Sequence, residues 1–437
     1  MNNIRRSIGF AFLLLVIAYA QPAGDPTAIA RRALNLLLVG NYAELRAMFD
    51  QQMLAALSEE ALRRQVGLQI AQLGKPQSFG SPTTERVQDV TAVVFPGRFP
   101  AGTFNLVISV DPAGKVAGLF LQPAQPNEPS PAAGPAPTAW VRPEYSVAAS
   151  FRERAVNVVT GNFTLPGTLT FPVTPGPHPA IVLVQGSGPS DRDESAFAYK
   201  PFRDLAEGLA SRGIVVLRYD KRTFSYRPPP SLEGFTPEAE TVDDALSALA
   251  LIRRQPEVDR NQIFLLGHSF GGYLAPRIAT KDGHVAGVVI LAADLRPLED
   301  VIAEQSRQAG ANSQQLADLQ RQVAGIKAIH SGETGFYLGL PASYWLDLKW
   351  YDPVAQTRAL RCRVLVIEGG RDFEVPAEDE NRWKSALAAD RNATVRIYPN
   401  LNHFLVPGTE RSSPAEYSKP GHVGLGVIND IANWIKS

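Results

Sequence analysis

Ser269 stands in a G-x-S-x-G pattern that spans residues 267–271 and follows four apolar residues. This order predicts a strand, a sharp turn with the serine at its apex, and a helix that begins near Gly271. The glycines lie where the backbone doubles back and leaves no room for side chains. The turn also precedes a helix N-terminus, whose N–H groups can stabilise a developing oxyanion. Ser269 is therefore the candidate nucleophile.

A serine hydroxyl needs an imidazole to take its proton and a carboxylate to fix the imidazole tautomer. Asp372 and His403 each follow an apolar run that predicts a strand, and they complete the chain order Ser, Asp, His. Asp294 follows another such run and is an alternative acid. His268 adjoins the serine, and we expect it to pack rather than to act as the base. The remaining histidines, expected to be solvated, are His178, His284, His330 and His422.

The elements that must position these residues begin near residue 143. From there, continuous apolar strands alternate with amphipathic helices, which predicts an α/β fold with a mostly parallel sheet covered on both faces. Between about 298 and 350 the alternation stops, and a Gln-rich helical stretch predicts a cap above the carboxyl ends of the strands. Five aromatic residues lie in or after this cap, and we expect them to pack in its core or, alternatively, to line a substrate pocket. They are Tyr337, Tyr344, Trp345, Trp350 and Tyr351.

Residues 143–437 resemble the α/β-hydrolase superfamily, and in particular exported bacterial esterase-like and dienelactone-hydrolase-like members. Three motifs carry the resemblance: residues 267–272 with the G-x-S-x-G pattern, residues 370–372 together with 375–376, and residues 402–404. The resemblance implies a Ser-His-Asp acyl-enzyme mechanism on a small ester or acyl substrate, with no metal or organic cofactor. It also implies an oxyanion hole formed by the N–H groups of Phe270 and Ser187.

The N-terminal part predicts export and a second domain. Basic residues, an apolar stretch and a small-x-small sequence make residues 1–20 a predicted cleaved signal, with a retained anchor as the alternative. The mature protein is then expected in the periplasm or outside the cell, with no stable membrane insertion. Residues 26–122 predict a small α+β accessory domain in which one strand runs from Val87 to Val94. The Pro/Ala-rich residues 123–142 predict a linker.

The amino-acid composition bears on domain number, on binding partners and on disulfide bonds. The chain has 437 residues, long enough for two domains, with 43 basic and 43 acidic residues. This balance gives no electrostatic reason to expect nucleic acid as a partner. Cys362 is the only cysteine, so an intrachain disulfide is excluded.

Three functional alternatives follow. A carboxylic ester hydrolase leads, and its activity is expected to rise through about pH 6 to 7, where an unperturbed histidine loses its proton. A serine aminopeptidase or acyl-peptide hydrolase would need a carboxylate for the substrate amine, for which Glu304 and Asp318 are available in the predicted cap. A non-catalytic binding protein is the third. The charged segment 218–222 predicts a salt-bridged turn or, alternatively, an anion-recognition site.

Overall fold

The computed structural model describes residues 24–59, 62–63, 76–87, 90–99, 102–123, 140–226, 234–308, 313–375, 377–413, 416–417 and 419–437. The predicted signal at residues 1–20 and most of the predicted linker lie outside the described residues. In the part of the chain that is described, no helix combines the length and apolar character needed to cross a membrane.

The strands that the structure describes are, in chain order, β1 (Ser78–Phe79), β2 (Thr83–Val87), β3 (Val90–Phe99), β4 (Gly102–Val110), β5 (Val116–Pro123), β6 (Phe151–Thr160), β7 (Phe163–Pro172), β8 (His178–Val184), β9 (Val215–Tyr219), β10 (Val258–His268), β11 (Gly287–Leu291), β12 (Phe336–Tyr337), β13 (Leu340–Pro341), β14 (Arg363–Gly369) and β15 (Ala393–Tyr398).

The α-helices found among the described residues are α1 (Pro26–Leu38), α2 (Tyr42–Ala47), α3 (Gln51–Ala56), α4 (Pro201–Ala210), α5 (Arg222–Ser225), α6 (Asp243–Ile252), α7 (Phe270–Asp282), α8 (Leu298–Gln308), α9 (Ser313–Ala328), α10 (Ala342–Leu348), α11 (Pro353–Ala359), α12 (Ala377–Leu387) and α13 (Leu425–Lys436).

The larger sheet has eight strands in the order β15-β14-β11-β10-β8-β9-β7-β6. The strands from β15 to β9 pair in parallel, and the β6–β7 hairpin joins β9 antiparallel at one edge. In this register Leu265 of β10 lies between Val182 of β8 and Val288 of β11. The predicted mostly parallel α/β sheet is confirmed, and it brings the carboxyl ends of β8, β10, β14 and β15 to one edge.

Helices cover both faces of this sheet, as its continuous apolar strands require. Ile181 and Leu183 pack with residues of α4 and α13, whereas Val182 and Val184 pack with residues of α6 and α7 on the other face. All four side chains are fully buried. Burial of each such side chain stabilises the fold by about 1.5–3 kcal/mol, and it holds the loops at the strand ends in fixed positions.

A separate five-stranded antiparallel sheet contains β1 to β5, and residues of α1 pack in its core. The predicted single strand from Val87 to Val94 is wrong: the segment folds as β2 and β3, with Val87 opposite Val90 and Thr83 opposite Val94. The spacing of three residues between Val87 and Val90 breaks the period of two, and this break was the available sign of two strands instead of one.

The cap comprises α8, α9, the β12–β13 hairpin and α10, and it interrupts the chain between β11 and β14. Its own core includes Ile326, Ile329 and Trp345. Trp350 is 86% exposed, so it does not belong to the predicted aromatic packing cluster.

Candidate active site

Ser269 lies between β10 and α7 in the sharp turn that the sequence predicted. Its backbone has φ 51° and ψ −121°, a conformation that is strained for a residue with a side chain. A Cβ atom at Gly267 would collide with the carbonyl oxygen of Gly271, and one at Gly271 would collide with the carbonyl oxygen of Val184. The Ser269 N–H donates to the Leu291 carbonyl at 2.8 Å, which fixes the turn from the neighbouring strand.

His403 and Asp372 lie together at the same edge of the sheet. His403 Nδ1 is 2.7 Å from Asp372 Oδ2, and both side chains are buried. The other Asp372 oxygen accepts the backbone N–H of Glu374 at 2.7 Å, which holds the carboxylate in place. Asp294, the alternative acid, instead forms an ion pair with Arg296 at 2.8 Å. The structure therefore brings Asp372, and not Asp294, to His403.

Three carboxylates shape the electrostatics of His403. Burial of the imidazole opposes its protonation, but the charges of Asp372, Glu374 and Glu194 outweigh burial and raise the pKa of His403 above its ordinary value of 6.5. Glu374 Oε2 lies 3.7 Å from His403 Nε2, and Tyr417 Oη donates to Glu374 Oε1 at 2.6 Å. These charges predict that the rise in activity lies above the range of about pH 6 to 7 that an unperturbed histidine would give.

The loop after β8 lies against the nucleophile. An ideal Cβ atom at Gly186 would stand 3.1 Å from Ser269 Cβ, so only glycine fits this approach comfortably. Within the described residues, the backbone N–H groups of Ser187 and Phe270 have no hydrogen-bond acceptor. These are the two N–H groups that the resemblance implies for the oxyanion hole.

Charged side chains hold the Gly186 backbone on both sides. Its N–H donates to Glu194 Oε1 at 2.7 Å, and its carbonyl oxygen accepts from Lys221 Nζ at 2.8 Å. Glu194 also reaches His268, whose Nδ1 is 3.0 Å from Glu194 Oε2, while His268 Nε2 is 3.0 Å from the His403 carbonyl oxygen. His268 is thus buried beside the His403 ring, as expected of a packing residue, but both of its ring nitrogens also face polar atoms, which the sequence did not indicate.

Sequence reasoning did not identify Glu194, Lys221 or Glu374 as site residues. Lys221 follows β9 within the charged segment noted at 218–222, and Glu374 comes two residues after Asp372. Both residues follow the carboxyl end of a strand, and this position could have marked them as candidates for the site. Glu194 lies in the described loop between β8 and α4, and nothing in its local pattern marks it.

The charged segment after β9 is a salt-bridged structure, as one of its two interpretations predicted. Arg218 Nε lies 2.9 Å from Asp193 Oδ1, and Arg222 Nη2 lies 2.7 Å from Asp244 Oδ1. Both arginines are therefore paired with carboxylates, and the structure gives no support to the anion-recognition alternative at these two side chains.

The remaining histidines differ in their surroundings. His284 and His330 are exposed, and His178 is half-buried. The expectation of solvation is wrong for His422, whose Nδ1 lies 3.2 Å from the buried carboxylate of Asp204. This contact forms across 218 residues of sequence, so no local pattern indicates it.

The cap contacts the site through α8 and α10. The ring of Tyr344 stacks on Phe270 with centroids 6.4 Å apart, and Gln305 Nε2 donates to the Glu374 carbonyl at 3.4 Å. The two carboxylates considered for a substrate amine each pair with an arginine three residues further along their own cap helix; these pairs are Glu304–Arg307 and Asp318–Arg321.

A model of the alpha/beta hydrolase family matches residues 181–418, which include the β10 turn, Asp372 and His403. The chain belongs to this family, and it is a hydrolase of that class.

Comparison with individual proteins gives the following likenesses. The chain is 37% identical over 340 residues to esterase EstD of Thermotoga maritima, covering 77% of this chain and 78% of the relative. It is 21% identical to an uncharacterized peptidase, YtmA, of Bacillus subtilis over 62% of this chain and 88% of that protein. A solved esterase of Pyrococcus furiosus aligns with a TM-score of 0.44 and 14% identity, covering 65% of this chain and 91% of that one.

Proposed function

We propose that the protein is a serine hydrolase that cleaves carboxylic esters through an acyl-enzyme. The observation that carries the proposal is the buried 2.7 Å contact between His403 Nδ1 and Asp372 Oδ2, at the same sheet edge as the strained turn of Ser269. The 37% identity to a protein named as an esterase supports ester cleavage.

In the proposed reaction, His403 Nε2 takes the proton of Ser269 as the hydroxyl oxygen forms a bond to the ester carbonyl carbon. Asp372 keeps the imidazole in the tautomer whose Nε2 is free to accept that proton. The N–H groups of Phe270 and Ser187 stabilise the negative oxygen. The imidazolium then gives its proton to the departing alcohol, and a water molecule releases the acid by the same steps in reverse.

A second candidate, cleavage of aminoacyl substrates, is favoured by one observation. Glu374 carries a carboxylate 3.7 Å from His403 Nε2, and 26% of its side chain is exposed. A carboxylate in this place could accept a substrate ammonium group beside the scissile bond. The likeness to a protein named as a peptidase agrees with this candidate at low identity.

The test is the initial rate of the protein and of Ser269→Ala on p-nitrophenyl esters of increasing acyl length and on aminoacyl p-nitroanilides. We expect ester turnover that Ser269→Ala abolishes, while a phosphonate that reacts with serine labels the parent protein alone. Anilide cleavage at comparable rates would favour the second candidate. Turnover that persists in Ser269→Ala would refute both.

A further inference from the structure

The backbone of Gly186 has to be held in place by hydrogen bonds from other residues. Glycine fits at the close approach to Ser269, yet glycine has little conformational preference of its own. The orientation of the peptide groups around it must therefore come from hydrogen bonds. The structure supplies one to each neighbouring peptide: Glu194 accepts from the N–H, and Lys221 donates to the carbonyl oxygen.

The contact with Lys221 also orients Ser187. The carbonyl of Gly186 and the N–H of Ser187 belong to one planar trans peptide, in which they point in opposite directions. A donor fixed on the carbonyl oxygen therefore sets the direction of the Ser187 N–H. An ammonium group at that oxygen also polarises the peptide, which makes the N–H a stronger donor to a negative oxygen.

Lys221 is itself fixed in the interior. Its side chain is 3% exposed, and Nζ lies 3.4 Å from Glu240 Oε1. Tyr344 of the cap donates to the other oxygen of Glu240 at 3.1 Å. A buried ammonium group is costly unless it has such partners, so the position of Lys221 is closely determined.

Glu194 joins the same loop to the loop of His403. His268 Nε2 faces a carbonyl oxygen, which can only accept, so this nitrogen carries a proton. His268 Nδ1 and Glu194 Oε2 lie 3.0 Å apart, and neither has another hydrogen-bonding partner among the described residues. This 3.0 Å contact joins the two side chains, and it is an ion pair when His268 carries a proton on both ring nitrogens.

We infer that Glu194 and Lys221 are positioning residues that hold the Gly186–Ser187 peptide in the orientation required to stabilise the oxyanion. Through its contact with His268, Glu194 also links the loop that carries Gly186 to the loop that carries His403. The inference rests on the proposed function, because it assigns a purpose to the oxyanion hole of that reaction.

Steady-state kinetics of Lys221→Met and Glu194→Ala test the inference. We expect each change to lower kcat about 10- to 100-fold, somewhat less than removal of an oxyanion donor itself, with KM within about twofold. Glu194→Gln should stay within about fivefold of the parent enzyme. Its amide oxygen can accept from Gly186, and its NH2 group can donate to a neutral His268.

A transition-state analogue separates positioning from a structural role. The affinity of a trifluoromethyl ketone, which forms an oxyanion on the nucleophile, should fall in parallel with kcat in Lys221→Met and Glu194→Ala. Lys281→Met is the matched control, because Lys281 is an exposed lysine that pairs with Glu238 at the surface. We expect it to leave kcat and ketone affinity unchanged.

The outcomes are distinct. If kcat and ketone affinity of folded Lys221→Met and Glu194→Ala equal those of the parent enzyme, the inference is wrong although the proposed function stands. If Lys221→Met does not fold, the comparison of Glu194→Ala with Glu194→Gln decides, and equal losses in these two overturn the inference. If Ser269→Ala retains turnover, the proposed function itself fails first.

Discussion

Glu374→Gln should make the enzyme active at lower pH. The carboxylate lies 3.7 Å from His403 Nε2 and favours the protonated imidazole, which cannot act as a base. At this distance the attraction is about 1 kcal/mol in water and about 4.5 kcal/mol at an effective dielectric constant of 20. Because 26% of the Glu374 side chain is exposed, the lower end applies. The substitution should therefore lower the pKa of His403 by about 1.

The assay is kcat/KM for one ester from pH 5 to 10, which reports the ionisation of the free enzyme. The parent enzyme should show a rising limb above the ordinary histidine value of about 6.5, since the surrounding carboxylates raise the pKa of His403. In Glu374→Gln the limb should lie about 1 pH unit lower, so that the variant is up to about tenfold faster well below both pKa values.

The control is Glu257→Gln, which removes the same charge from a surface ion pair with Arg154 and should leave the limb in place. A limb at the same pH in Glu374→Gln and in the parent enzyme, or a limb at higher pH, would contradict the electrostatic reasoning. It would show that Glu374 does not govern the base.

Two further comparisons test the site and its support. Asp372→Asn should lower kcat about 10³- to 10⁴-fold because the amide favours the wrong tautomer of His403, whereas Asp294→Asn should cost less than tenfold; equal losses in steady-state assays would count against Asp372. Gly271→Ala should lower the free energy of unfolding by about 3 kcal/mol or more, because its new methyl group meets backbone. Gly283→Ala, with φ 69° and open space around it, should cost about 1–2 kcal/mol, and similar urea midpoints for the two would refute the steric argument.

The sequence was sufficient for the elements whose signal is local. Continuous apolar runs predicted β8, β10, β11 and β14, because a strand buried on both faces must be apolar along its length. The turn of Ser269 was readable because Gly267 is required by a collision with Gly271, four residues further along, although Gly271 itself is required by Val184 of a neighbouring strand. Asp372 and His403 were readable because a strand that ends at the common edge places its next residues near the turn.

The sequence was insufficient where a contact depends on how separate loops meet. Chain order favoured Asp372 over Asp294, but both follow strands that pair with each other, and only the contact with His403 shows which carboxylate meets the imidazole. Lys221 reaches Gly186 across 35 residues, and His268 reaches the His403 carbonyl across 135. No periodicity or motif encodes such distances.

There is a physical reason why the sequence predicts the turn of Ser269 but not the residues that hold the Gly186 loop. Part of the sterics of a nucleophile elbow acts within a few residues, as between Gly267 and Gly271, so the elbow leaves a recognisable sequence pattern. Orientation of an oxyanion loop needs only a donor on one side and an acceptor on the other, and many side chains from many places can provide them. Lys221 and Glu194 are one solution to that requirement, fixed by burial rather than by a motif. We therefore expect function in this chain to tolerate Glu194→Gln, which preserves the hydrogen-bonding pattern, and not Glu194→Ala, which removes it.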